Sequence, residues 1–225
     1  MEKFLLINKP AGITSHDVVD RLRQITGIKR IGHAGTLDPL ATGLLILGIG
    51  RESTKQLDRF LKLNKEYEAV LQLGAVSDTY DKTGEIQIVG NKKQLAVKDI
   101  KLALKKFKGE QRQIPPIYSA KKIKGRKAYE LARKGEKVEL QAWRIIIYKI
   151  KLKKWWKQKN QVKILVKCSS GTYIRSLGYD IGQELGVGAY LEELTRTKIG
   201  KFRLKKAVDL ESLDNKNWKR YLAKN

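Results

Sequence analysis

Cysteine is nearly absent: Cys168 is the single one in 225 residues, so no internal disulfide can form and a reducing, cytoplasmic setting is expected. No apolar run approaches the ~20 residues that a bilayer span requires. The N-terminus, Met1-Glu2-Lys3-Phe4-Leu5-Leu6-Ile7, lacks the apolar stretch and cleavage site of a signal peptide. No membrane partner is expected. There is no P-loop lysine motif and no zinc-ligand spacing. The acids Asp78, Asp81 and Glu85 do not follow the fixed positions of an EF-hand loop and read as a solvated loop within 75–95. No metal and no cofactor are therefore expected. Acids are scarce overall: 23 against 48 Lys and Arg, a formal charge of +25. That balance points to a polyanionic partner, RNA or DNA first, with plain solubility as the alternative. No internal repeat or low-complexity segment appears.

What is present is enough for a sizeable core, with 41% hydrophobic residues. Residues 3–8 read as a strand ending in the turn cluster Asn8-Lys9-Pro10-Ala11-Gly12. Lys9 there either meets a phosphate or is an exposed turn lysine. Thr14 and Ser15 are N-cap residues for a helix carrying Val18, Val19, Leu22 and Ile25 and ended by Gly27. Residues 44–50 read as a buried strand, 51–63 as a helix with Leu57, Phe60 and Leu61 on one face, and 65–73 as a half-buried strand. An amphipathic helix follows over 97–107. Residues 114–120 are stiff and extended. Strands over 145–152 and 162–168 flank a tip at 154–160, and a helix runs over 176–185. In that hairpin lysines alternate with apolar residues, and Trp155-Trp156 sits at the tip. It is either a stacking platform for bases or a pair of packed strand aromatics.

The densest chemistry lies in Gly32-His33-Ala34-Gly35-Thr36-Leu37-Asp38-Pro39-Leu40-Ala41-Thr42-Gly43. Three glycines, a proline and two threonines make a tight loop around one carboxylate. Asp38 is then either a positioned reactive group or the opener of an Asp-Pro turn. Residues 121–134 hold Lys121, Lys122, Lys124, Arg126, Lys127, Arg133 and Lys134 against one acid, Glu130, a density that repels itself unless a polyanion is near. Further on, Ser169 to Arg175 joins a strand end, a glycine and a helix start, where Tyr173 and Arg175 can flank a site.

The glycine-rich loop resembles the signature of the bacterial tRNA pseudouridine(55) synthases of the TruB type. So do Asn8-Lys9-Pro10-Ala11-Gly12-Ile13-Thr14-Ser15, the pattern Lys65-x-Tyr67-x-Ala69-x-Leu71-x-Leu73-Gly74, and Cys168-Ser169-Ser170-Gly171-Thr172-Tyr173-Ile174-Arg175. A weaker match runs through Gly186-x-Gly188-Ala189-x-Leu191-x-x-Leu194-x-Arg196. The resemblance implies an α+β pseudouridine synthase fold, with a central mixed or antiparallel sheet, flanking helices and a basic thumb inserted at about 111–137. It implies one catalytic domain over 1–210, with 211–225 a short tail and no PUA-type RNA-binding domain. It implies isomerisation of uridine 55 in the T loop of tRNA, by a monomer without cofactor, the target base being flipped out of its stack. Asp38 is then the catalytic carboxylate, with Arg175 beside it and Tyr67 against the base. His33, Tyr173, Leu194 and Lys9 bind substrate, and Lys121, Lys122, Lys124, Arg126 and Lys127 contact RNA. The carboxylate can act as nucleophile or as base. The rival readings are a non-catalytic tRNA-binding or folding protein on the same scaffold and a ribosome-associated basic protein. A missing RNA-binding domain would leave diffuse charge to hold the rest of the tRNA.

Overall fold

A computed structural model describes residues 3–90, 94–118, 122–123, 126–127 and 140–223. In chain order the elements are β1 (Phe4–Lys9), α1 (Ser15–Thr26), β2 (Ile31–His33), β3 (Thr42–Ile49), α2 (Arg51–Lys55), α3 (Asp58–Leu61), β4 (Lys65–Leu73), β5 (Ala75–Ser77) and β6 (Ile86–Ile88). Then come α4 (Val97–Lys106), β7 (Gly109–Gln113), β8 (Lys122–Ile123), β9 (Arg126–Lys127), β10 (Trp143–Trp156), β11 (Gln161–Cys168), α5 (Ile174–Leu185), β12 (Ala189–Ile199), β13 (Phe202–Arg203) and β14 (Val208–Asp209). The chain folds as two compact units. One is Met1–Glu68 with Glu193–Asn225, and the other is Ala69–Glu192.

The first unit is a mixed sheet. β1 runs antiparallel to β3 and parallel to β14, and β3 runs parallel to β12, with β2 on β3 and β13 on β12. Its central strands are buried on both faces, which is why 44–49 is continuously apolar rather than alternating. Leu5, Ile7, Leu45 and Leu47 face one cluster, with α1 and with Leu210, Leu213 and Trp218. Phe4, Leu6, Leu44 and Ile46 face another, with Phe60 and Ile199. Residues after 210 therefore supply core side chains to this unit, where a tail was expected. The helix expected over 51–63 is broken into α2 and α3, since Gln56 already caps the first by donating to Ser53 O.

α1 forms as expected. The Thr14 side chain accepts from Asp17 N, the Asp17 carboxylate accepts from Thr14 N, and Gly27 closes the helix at φ 70°. Gly43 is fixed by geometry as well as by its φ of 103°, because a Cβ there would lie 2.4 Å from Arg196 O.

In the second unit β10 pairs antiparallel with both β11 and β7. α4 and α5 bury Ile100, Leu104, Ile174, Leu177, Ile181 and Leu185. The 75–95 region, read as a loop, contains the β5–β6 hairpin.

Candidate active site

The signature loop lies between β2 and β3 and is tied down on both sides of Asp38. Ser15 Oγ accepts from Leu37 N at 2.9 Å and donates to Leu37 O at 3.2 Å. Gly12 N donates to Pro39 O at 2.8 Å, and Ala34 N to Ile46 O at 2.8 Å. Ala41 N donates to Asp38 O at 3.0 Å, so the turn-opening role of Asp38 is real and uses its backbone.

Two buried cations complete the loop. Lys9 is fully buried, and its Nζ donates to Pro10 O and Ile13 O at 2.7 Å each and to Pro39 O at 3.4 Å. This corrects the exposed-turn reading of Lys9: its ammonium is buried against the chain's own carbonyls. Arg196, also buried, donates from Nε to Leu44 O at 2.7 Å, from Nη2 to Gly35 O at 3.0 Å and from Nη1 to Thr36 O at 3.4 Å. Tyr67 is buried on β4, and its side chain hydrogen-bonds Arg196.

Burial lowers the Arg196 pKa, opposed by Tyr67 and by Asp38. Burial likewise brings Lys9 down to about 8, again opposed by Asp38 and by Asp17. The attraction is mutual, so the loop holds the Asp38 carboxylate in a positive field. The structure thus gathers Asp38, Tyr67, Lys9 and Arg196. Leu194 is two residues from Arg196 on β12 and shares its face. His33 is half-buried at the end of β2, and burial, then Arg196, lowers its pKa and favours the neutral ring.

Lys9 gives a pH test. With a folded pKa of about 8 against the ordinary 10.5, the unfolded chain binds the extra proton between those values, so the fold gains stability as pH rises through that window. The neutral amine still supplies the two short hydrogen bonds. Lys9→Met leaves Pro10 O and Ile13 O unanswered, while Pro39 O keeps Gly12 N, and is expected to melt lower at every pH, by ~1–3 kcal/mol per acceptor left dry. The gap to the wild type should widen from pH 7 to 10 in thermal melts.

In the second unit Arg175, on the first turn of α5, is buried. It lies 3.6 Å from Asp81 and donates to Thr79 O at 3.1 Å and Tyr118 O at 2.9 Å. Asp81 also accepts from Thr83 N and Thr79 Oγ1, each at 2.9 Å. The solvated-loop reading therefore fails for Asp81, which is buried as the carboxylate partner of Arg175 in this unit. Asp78 instead accepts from Glu85 N at 2.8 Å, and Glu85 is exposed as expected. Gln113 clamps Tyr173: Tyr173 N donates to Oε1 at 2.8 Å and Nε2 donates to Tyr173 O at 3.0 Å. The Tyr173 ring lies 5.9 Å from that of Trp143. Gly171 has φ 78°, and a Cβ there would crowd Trp143 at 3.0 Å.

Of the expected RNA contacts, Lys122 and Arg126–Lys127 fall in the β8–β9 ladder, while Lys121 and Lys124 lie outside the described residues. Among the described residues no group of three or more His, Cys, Asp or Glu side chains could hold a metal, and no helix is long and apolar enough to cross a membrane. Sequence reasoning missed Arg196, Asp81 and Gln113. Arg196 carried a signal, as the last residue of the third motif. Gln113, in a polar segment, carried none.

A chain in the crystal structure of a Cbf5–Nop10–Gar1 complex superposes with a TM-score of 0.72 at 29% identity, over 93% of this chain and 52% of that one. This chain spans about half the length of that solved one, and the fold class is that of the pseudouridine synthases. The family model for TruB family pseudouridylate synthase (N terminal domain) matches residues 23–174, and that for the tRNA pseudouridylate synthase B C-terminal domain matches 175–225. The chain belongs to the TruB family of pseudouridylate synthases. It is 48% identical to a tRNA pseudouridine synthase B of Prochlorococcus marinus, over 95% of this chain and 68% of the relative. It is 44% identical to that of Aquifex aeolicus, over 99% and 77%.

Proposed function

We propose that this protein isomerises the uridine at position 55, in the T loop of tRNA, to pseudouridine, with Asp38 as the reacting carboxylate. The C1′–N1 bond breaks, the base turns, a C1′–C5 bond forms, and the C5 proton is lost while N1 gains one. Electrons balance within the substrate. Asp38 serves as nucleophile or as base at the sugar. The observation that carries the reading is the Asp38 loop, pinned on both sides and backed by Lys9 and Arg196, in a chain of this family. Pinning removes the loop motion that otherwise misplaces a reacting group, and an ångström of misplacement costs about 10²-fold in rate.

Tyr67 is assigned to the base, with Leu194 beside Arg196 lining the pocket and His33 contacting the opened loop. Tyr173 and Arg175 keep the catalytic and substrate roles that the second motif implies, and Lys122, Arg126 and Lys127, with Lys121 and Lys124, an RNA-contacting one. Lys9 is reassigned to holding the Asp38 loop. Flipping the base costs a few kcal/mol, which phosphate contacts offset. The protein acts as a monomer on the T-stem loop, in the cytoplasm where tRNA is. A non-catalytic RNA-folding role is disfavoured by relatives of 41–48% identity that bear the synthase name.

Mapping by carbodiimide adducts and reverse transcription on an unmodified tRNA transcript tests this. A new stop at position 55, abolished by replacing that uridine with cytidine, is expected. Stops elsewhere, or none, would contradict it.

A further inference from the structure

From Trp143 to Cys168 the chain carries Arg144 and Lys149, Lys151, Lys153, Lys154, Lys157, Lys159, Lys163 and Lys167 with no Asp or Glu. The register shows where they point. Ile147–Cys168, Ile150–Val166, Leu152–Ile164 and Trp155–Val162 pair on the core face. The outer face pairs Lys149 with Lys167, Lys151 with Leu165, Lys154 with Lys163, and Trp156 with Gln161. Register shifts at Tyr148 and Lys153 make this sorting possible. Each extra residue restores the alternation, keeping apolar side chains inward and lysines outward. Lys149 and Lys167 thus lie directly across the ladder from each other, an arrangement that destabilises a sheet. Lys149, Lys151, Lys154 and Lys167 are exposed, and Lys154 Nζ lies 4.9 Å from the Trp156 ring centroid. The strip runs about 20 Å along β11, the length of several consecutive phosphates on one strand. Its tip is about 23 Å along that strand from Cys168, where the Tyr173–Arg175 motif begins.

We propose that the outer face of the β10–β11 hairpin is a second RNA-binding surface, gripping the phosphate backbone of the substrate beyond the nucleotide being modified. The identity of the polyanion rests on the function proposed above; the surface itself rests on the register and charge. A polyanion laid on this face relieves the Lys149–Lys167 repulsion. Trp156 offers a flat neighbour to a base or ribose at the end of the strip.

The test neutralises four lysines together, K149Q/K151Q/K154Q/K167Q, against a control losing the same charge elsewhere, K62Q/K205Q/K206Q/K216Q. Affinity for unmodified tRNA is measured across a salt series. The hairpin variant is expected to lose at least tenfold in affinity near 0.1 M salt, and its log–log salt slope should become shallower by about 3, four contacts at 0.7–0.9 each. Its kcat/KM should fall with the affinity, and its Tm should not fall, since repulsion has been removed. The control should lose less than threefold. Equal losses in both variants, or an unchanged slope in the hairpin variant, would overturn the surface. So would wild-type binding to phosphatidylserine vesicles as tight as to tRNA. A wild type that binds tRNA through this face yet modifies no uridine would refute the assigned reaction and leave the surface standing.

Discussion

Asp38→Asn is expected to lower turnover at saturating tRNA by at least about 10⁴-fold, the scale seen when a nucleophile or its partner base is removed. The dissociation constant for tRNA should stay within about threefold. The side chains are nearly isosteric, and the loop's anchors through Ser15, Gly12, Lys9 and Arg196 all act on backbone atoms, so the amide should sit where the carboxylate sat. Asp38→Glu separates charge from placement. It keeps the carboxylate but pushes it out by one methylene from a loop that cannot retreat, and a misplacement of that size costs about 10²-fold. Equal loss of binding and turnover in Asp38→Asn would make the residue a turn element and nothing more. Single-turnover rates beside equilibrium binding give the answer.

Arg196→Met should produce the second largest effect, and it should act first on folding. The buried guanidinium answers three carbonyls, two of them in the signature loop, and hydrogen-bonds Tyr67. Methionine fills much of the volume but leaves those acceptors dry. Breaking such a buried charged network costs about 3–5 kcal/mol, which in a chain of this size lowers Tm by roughly 6–15 °C. Arg196→Lys keeps the charge but loses the planar fork, so it should recover part of the stability. At a temperature where all three proteins are folded, kcat should fall in both variants more than KM rises, because Gly35 and Thr36 lose the anchor that places Asp38. A variant that melts low yet turns over normally when folded would show that Arg196 serves only the core.

Much of the scaffold was legible before the structure. α1 announces itself through Thr14, Asp17 and Gly27 and the spacing of Val18, Val19, Leu22 and Ile25. β3 is apolar without interruption because both of its faces are buried. β7 was missed because Gly-Glu-Gln-Arg-Gln is polar at nearly every position and pairs as a strand through its backbone. The β5–β6 hairpin was missed because its second strand is wholly exposed. At the site, motifs single out Asp38, Tyr67, Tyr173 and Arg175 but not the groups that hold them. Lys9 reads as an exposed turn lysine until Pro39, thirty residues on, is seen to return onto it. Asp81 is indistinguishable from Asp78 and Glu85 until the fold buries it against Arg175. Burial of a charge is decided by partners distant in the chain, and local pattern carries no record of them.

Loss of the C5 hydrogen reports the isomerisation most directly. A tRNA transcript labelled with tritium at C5 of its uridines, held at saturation by enzyme in excess, should release one equivalent of tritium per tRNA with the wild type. With Asp38→Asn it should release none over the same period while the tRNA remains bound. Tritium release by the Asn variant at a rate within tenfold of the wild type would contradict the central claim that this carboxylate does the chemistry.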